Sequence, residues 1–484
     1  MANPQTSGYS KELQEIFAAA DTSPWHHHTK IALEWFLSYL EKDTWEARKE
    51  NVVKYFREQE DNAYKNFDQA VKSIEEQKNR VAFHEDWVAW YLFLVECLHE
   101  RPLVSELAQS ARVFPFFAAV GRHIELAKKI DGIDEKLSEF LNSKINQPDS
   151  TLFELVVAIM YARNGYRVEF IPETALNKTP DLKVTKGEGS FFVECKRLSK
   201  VTEYSENERQ EWRKRWLNLV PILTRSRLNI FLDVLFKVEV KDTDEYILAK
   251  AFNGVKSKIS TKKLLRIESD EIIILINGID MKNVNDHFDK YMVKWNSPQM
   301  VSLLAGSFSS SENYTHLCVP KELVRVGPDD SIDILNIFCT GIHSGYCARW
   351  ECIAEESINK KAKDIKTHLS KAVRQVPDNT PTIVHISYET LHGPAVEFER
   401  ARKIAESINN FDCHEKDVRA IYCHAIQPSV SEEDWEIAET TMRFGKNGND
   451  PLSILSHDML LDEIDTRISQ NTHWNEDFEM LLKR

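Results

Sequence analysis

Two acids and a lysine in one short stretch are the residues best suited to chemistry. Asp181 follows Pro180, and Glu194 and Lys196 flank Cys195. The acids are thirteen positions apart, which is one β-hairpin. Side chains alternate along a strand, so Glu194 and Lys196 share a face, while Phe191, Val193 and Cys195 point the other way, into a core. If KGEG (186–189) turns the chain so that Thr185 pairs with Ser190, Asp181 stands directly opposite Glu194. Two carboxylates with β-carbons about 5 Å apart repel each other unless a cation lies between them. Oxygen ligands completed by water select Mg²⁺ or Mn²⁺ over zinc. Lys196 would fall beside such an ion. Its ammonium could hold an attacking water and offset charge building on a phosphorane, while the metal polarised the phosphate. That division of labour suits hydrolysis of a phosphodiester.

The elements around these residues must hold them in place. TLFELVVAIMYARN (151–164) reads as a helix that is apolar nearly all round and therefore buried, with Gly165 as its stop. YRVEFI, DLKVT and SFFVECKRL read as three strands. Three apolar residues directly precede Glu194, so its strand is central and its charges are costly unless used. Thr151 and Glu154 have the spacing of a capping box, in which the glutamate needs no metal.

This order, with Pro180, Asp181, Glu194 and Lys196 in it, resembles the PD-(D/E)xK nuclease superfamily, the restriction-endonuclease-like fold. The resemblance covers residues 148–197. It implies a core of helix, three strands, helix and strand, and a nuclease using Mg²⁺ or Mn²⁺. It also implies a further acid on the first helix, where Glu154 stands, as a third metal ligand beside Asp181 and Glu194. Members include restriction enzymes, repair nucleases and phage-defence effectors, so restriction or antiviral defence is the role the resemblance suggests.

Completing that core takes one more helix and strand. The near candidate is Glu208–Leu219 with Leu228–Phe236. The far one is Lys361–Val376 with Thr382–Ser387, which would make the residues between an insertion. The far pair is preferred, because its helix is basic and amphipathic and its strand is a compact apolar run of the parallel-sheet kind. Lys366, Lys371, Arg374 and Gln375 on that helix, with Arg197 beside the motif lysine, are the candidate nucleic-acid contacts; some members of the superfamily place a glutamine there, as Gln375 would be. The expected fold is thus α+β or α/β. An all-helical module (1–146) precedes a nuclease core (147–205), an α/β insertion or accessory domain (206–360), the completion of the core (361–430) and an acidic helical segment (431–484). Pro102 and Pro115 are expected to break helices, and His26, His27 and His28 to lie in a loop.

Composition narrows the partners. The chain has 484 residues, 42% hydrophobic, and a net charge of -14. Such an acidic body is not coated in nucleic acid. Basic stretches at 250–266 and 360–374 suit one local polyanion site. DNA is the expected substrate, with RNA as the alternative. The helical module would bind a target or protein partner or gate the site, and a homo-oligomer would be needed to cut both strands. A non-catalytic nucleic-acid-binding or assembly subunit retaining the fold is the competing reading. No run of 18 apolar residues occurs, and the N-terminus lacks a signal pattern, so a cytoplasmic protein without membrane spans is expected. The eight cysteines are too sparse for a disulfide framework. Cys339, His343, Cys347 and Cys352 are a candidate zinc set with no familiar spacing, and Cys413-His414 with Cys423-His424 a second. A Walker phosphate loop and the G-x-S-x-G nucleophile motif are both missing.

Overall fold

The computed structural model of the chain describes residues 23–65, 86–104, 106–143, 148–172, 179–198, 202–326, 336–413, 416–430, 435–461 and 471–482. The architecture is mixed α+β, an N-terminal helical region followed by two six-stranded sheets. Among the described residues, no helix is long and apolar enough to cross a membrane.

The helical region comprises α1 (Pro24–Leu37), α2 (Lys42–Lys65), α3 (Trp87–Glu100), α4 (Leu107–Arg122), α5 (Ile124–Ala127) and α6 (Ile133–Asn142). Of the expected all-helical module (1–146), residues 1–22, 66–85, 105 and 144–146 fall outside the described residues. His26–His28 lie in the first turns of α1, which Pro24 opens, and not in a loop. Pro115 sits inside α4 rather than ending it. It is buried among Val113 to Gly121, and that packing outweighs the roughly 3 kcal/mol that an interior proline costs.

The buried helix of the motif is α7 (Pro148–Arg163). It begins at Pro148, so Thr151 lies within it and the capping-box reading of Glu154 does not hold. Gly165 ends it at φ +78°, with the Tyr166 N–H donating to the Tyr161 carbonyl at 3.1 Å. β1 (Arg167–Phe170), β2 (Leu182–Lys186) and β3 (Gly189–Leu198) form an antiparallel meander. Gly187, at φ +60°, opens the tight turn between β2 and β3, and Thr185 pairs with Ser190 as the spacing requires.

The chain then leaves this sheet. α8 (Glu203–Ser226) leads to β4 (Ile230–Phe236), and a second sheet is built from β4, β5 (Leu265–Glu268), β6 (Ile272–Gly278), β7 (Val293–Lys294), β8 (Asn313–Arg325) and β9 (Ile337–Cys352). Helices α9 (Ile247–Val255), α10 (Met281–Phe288) and α11 (Pro298–Ala305) accompany it. After α12 (Glu355–Lys361) and α13 (Lys366–Gln375), β10 (Thr382–Glu389) returns to pair parallel with β3. The far candidate therefore completes the sheet, and the near one belongs to the insertion. The basic stretch expected as one helix is two, broken at 362–365.

Beyond β10, α14 (Pro394–Asn409) crosses to β11 (Val418–Val430), parallel to β10, and β12 (Trp435–Gly445) follows antiparallel. The strand order is β1-β2-β3-β10-β11-β12. β12 corrects the helical expectation for 431–484: only α15 (Pro451–Ile454) and α16 (His473–Leu482) are helical there among the described residues. Its alternation was hard to read because each face mixes polar and apolar residues. Ile437 packs on one core, and Met442 and Phe444 on another.

The first sheet is covered on both faces. Val193, Cys195, Ala420 and Tyr422 join α7 and the N-terminal helices in one continuous core. Val384, Ile386, Ile421 and Cys423 face Leu369 and Val373 of α13 and Ile404 and Ile408 of α14. The helical region does not keep a core to itself.

A polar chain runs through the first of these cores. Tyr161 Oη, His385 Nε2 and Nδ1, His424 Nε2 and Nδ1, and Thr441 Oγ1 are linked at 2.9, 2.9 and 3.0 Å. Thr441 donates to Glu439, so its oxygen must accept from His424 Nδ1–H. The same logic makes His385 Nδ1 a donor and Tyr161 Oη the head of a one-way chain. Both rings are 0% exposed. Burial, and then the His424 ring, hold His385 well below its ordinary value of 6.5. An unfolded chain takes up that proton near 6.5 and the folded one refuses it. The stabilisation is fully present above that pH and is lost as the pH falls, by at most about 1.4 kcal/mol per pH unit for one proton. Melting curves at pH 7.5, 6.5 and 5.5 should show a smaller acid loss in His385→Gln than in the parent; equal losses would contradict this account.

Candidate active site

Asp181 lies one residue before β2, and its carbonyl accepts from the Ile171 N–H at 3.0 Å. Leu182 pairs with Val193, so the same register sets Asp181 against Glu194. Glu194 and Lys196 pair with Val384 and Ile386 and therefore lie on the face covered by α13. The Lys196 ammonium forms a salt bridge with Glu194, whose side chain is 0% exposed. Asp181 Oδ2 accepts from the Cys195 N–H at 2.7 Å.

The charges feel one another. Burial, then Glu154, then Glu194 push the Asp181 carboxyl well above the ordinary aspartate range, against the opposing pull of Lys196 and the Cys195 amide. Burial works against the charge on Lys196, yet Glu194 and Asp181 more than offset it and hold the ammonium above the usual lysine range. Glu154 of α7 is thus electrostatically part of the cluster, reaching it from the opposite face of the sheet.

Two residues that the sequence did not single out join the site. Lys136 of α6 places its Nζ 2.6 Å from Glu154 Oε2. Burial opposes its charge, but Glu154 and Asp181 raise it above the usual range. No local pattern in α6 marks this lysine. His368 of α13 is half-buried. Burial, then Lys371, then Lys196 lower its pKa, so it stands within electrostatic reach of the motif lysine. It shares a helix flank with Lys371 and Gln375 at three- and seven-residue spacing, a signal that was available.

The other candidates divide. The buried stripe of α13 is Leu369, Ala372 and Val373. Lys371 and Gln375 flank it on the His368 side. Lys366 flanks it on the other side, where it lines a shallow pocket with Ser370, Ser407 and Asn410. Arg374 is exposed, on the solvent side of the helix. Arg197 does not face this site. It follows Lys196 and so points to the opposite face, where its side chain is 2% exposed and donates to Ser387 Oγ at 2.6 Å and Glu389 Oε1 at 2.9 Å. Strand alternation alone separates it from Lys196.

The zinc sets come apart. Cys339, His343, Cys347 and Cys352 lie along the single strand β9, and the outer two are on the order of 40 Å apart along it. His343 is exposed, and Cys352 packs in a different core from Cys339 and Cys347. Cys423 and His424 point to opposite faces of β11, Cys413 lies outside the strand, and His414 is outside the described residues.

Among the described residues, no group of three His, Cys, Asp or Glu side chains stands arranged to hold a metal ion. Glu154 is turned to Lys136, Glu194 to Lys196 and Asp181 to the Cys195 amide. The donor chemistry still fits a hard divalent ion: three carboxylates, two of them lifting the third, with two ammoniums beside them. In comparisons with protein-family models, curated proteins and solved structures, none matched the chain.

Proposed function

We propose that the chain is a metal-dependent nuclease of the restriction-endonuclease-like kind, hydrolysing phosphodiester bonds in DNA. The observation that carries this reading is the hairpin register, which sets Asp181 against Glu194 with Lys196 on the same face. The return of β10 beside β3 after a basic helix supports it, since helix, three strands, helix and strand is the order that the motif's family implies.

Asp181 and Glu194 would hold Mg²⁺ or Mn²⁺, with Glu154 as the third ligand. The ion would supply a polarised phosphate and an acidified water. Lys196 Nζ, now on Glu194, would turn toward the scissile phosphate and donate to its developing charge. His368 and Lys371 would grip a neighbouring phosphate, and Gln375 would add a neutral donor. One such site cuts one strand, so cutting both calls for two copies. Labelled DNA and RNA, offered side by side with Mn²⁺, test the reading; DNA is the expected substrate. Cleavage of RNA alone would move the same site to a ribonuclease, and loss of neither substrate would favour a non-catalytic binding subunit.

A further inference from the structure

The two lysines at the cluster come from different parts of the chain. Lys196 belongs to the strand that carries Glu194. Lys136 is delivered by α6, and three features hold it in place. Asp131 is hydrogen-bonded to the rim of β1, its N–H to the Val168 carbonyl at 3.0 Å and its carbonyl from the Phe170 N–H at 2.8 Å. Gly132 then turns into α6 at φ +77°, where a β-carbon would stand 3.1 Å from the Phe170 carbonyl oxygen. The Lys136 ammonium rests 5.7 Å from the centre of the Phe170 ring and 2.6 Å from Glu154 Oε2. Its side chain is 22% exposed, so water reaches it and it has somewhere to go.

Lys136 and a divalent ion would both draw on the charge of Glu154. An ammonium 2.6 Å from Glu154 Oε2 stands close to where a hard cation on that carboxylate would sit, and the two positive charges repel. We propose that Lys136 is a built-in counter-ion that competes with a divalent cation for Glu154, so that the helical region limits how readily the site takes up metal. The inference rests on the proposed nuclease site and concerns its regulation. With Lys136 in place two of the three carboxylates are paired with ammoniums without metal, and the site stays intact but idle. Whatever shifts α6 on its mooring at β1 frees Glu154. The competing part of the chain is the region expected to meet a target or partner.

Calorimetric titration of the full chain with Mn²⁺ alone tests this without any activity readout. Lys136→Met keeps the length and loses the charge, and it should bind Mn²⁺ about tenfold more tightly than the parent. Lys136→Arg keeps the charge and should bind like the parent. The gain should vanish in Lys136→Met combined with Glu154→Gln. A second measurement needs no variant. In the parent protein, acylation of Lys136, followed by mass spectrometry, should speed up when Mn²⁺ is added. Equal or weaker binding by Lys136→Met, or a Lys136 amine no more reactive with Mn²⁺, would overturn the competition. If binding depends on Asp181 but ignores Lys136, only this inference falls. If neither the parent nor Lys136→Met binds Mn²⁺, the nuclease site falls with it.

Discussion

Supercoiled plasmid incubated with Mn²⁺ is expected to be nicked by the parent chain and left whole by Asp181→Ala and by Lys196→Met. The expected loss is roughly a thousandfold or more, because each variant removes a group acting on charge at the reacting phosphate. The structural cost of the first change is small. It forfeits one hydrogen bond, from the Cys195 amide, worth about 1 kcal/mol, and it relieves repulsion among three carboxylates. The second change is harder on the fold, since Glu194 is 0% exposed and loses its cation. Pairing it with Glu194→Gln separates the two effects: stability should recover while cleavage does not. Melting curves beside the cleavage assay read both. Undiminished nicking by Asp181→Ala would show that the phosphodiester is cut elsewhere, or by a contaminant.

The largest effect on stability is expected at Glu389. Its Oε1 accepts from Arg112 Nε and from Arg197 Nη2, both at 2.9 Å, and its side chain is 10% exposed. Arg197 also lies over the Phe116 ring of α4, and Arg112 belongs to the same helix. One carboxylate at the end of β10 therefore joins the motif strand to the helical region. Glu389→Ala leaves two guanidiniums with their counter-charge gone, and should cost about 3–5 kcal/mol in urea unfolding. Glu389→Gln should fall between the two. A loss under about 1 kcal/mol would mean that water or Asp149, which lies 3.9 Å from Arg112, already carries the charge.

The hairpin of the candidate site was legible because its information is local. Alternation fixes faces, Gly165 and Gly187 fix where segments stop and turn, and the register between Thr185 and Ser190 follows from loop length. The return of the chain at Thr382 was also legible, from a short apolar run behind a basic helix. What could not be read depends on contacts distant in sequence. Lys136 meets Glu154 because α6 is moored to β1, and nothing in α6 itself says so. Arg197 was misread although strand parity places it opposite Lys196. β8 and β9 were missed as strands, since bulges around Pro320 disturb the alternation that would announce them. Pro115 was read as a break because local propensity was weighed without the packing around it.

The parallel pairing of β3 with β10 has a consequence for biosynthesis. A ribosome finishes the motif strand long before it makes the neighbour that shields it, because residues 199–381 come between. Throughout that interval one side of β3 presents unused amides and carbonyls beside Phe192, Glu194 and Lys196. The intervening sheet carries its own apolar core and can collapse while the first sheet waits. A transcript cut short anywhere before Thr382 would therefore yield a product with an open, sticky margin rather than a smaller closed fold.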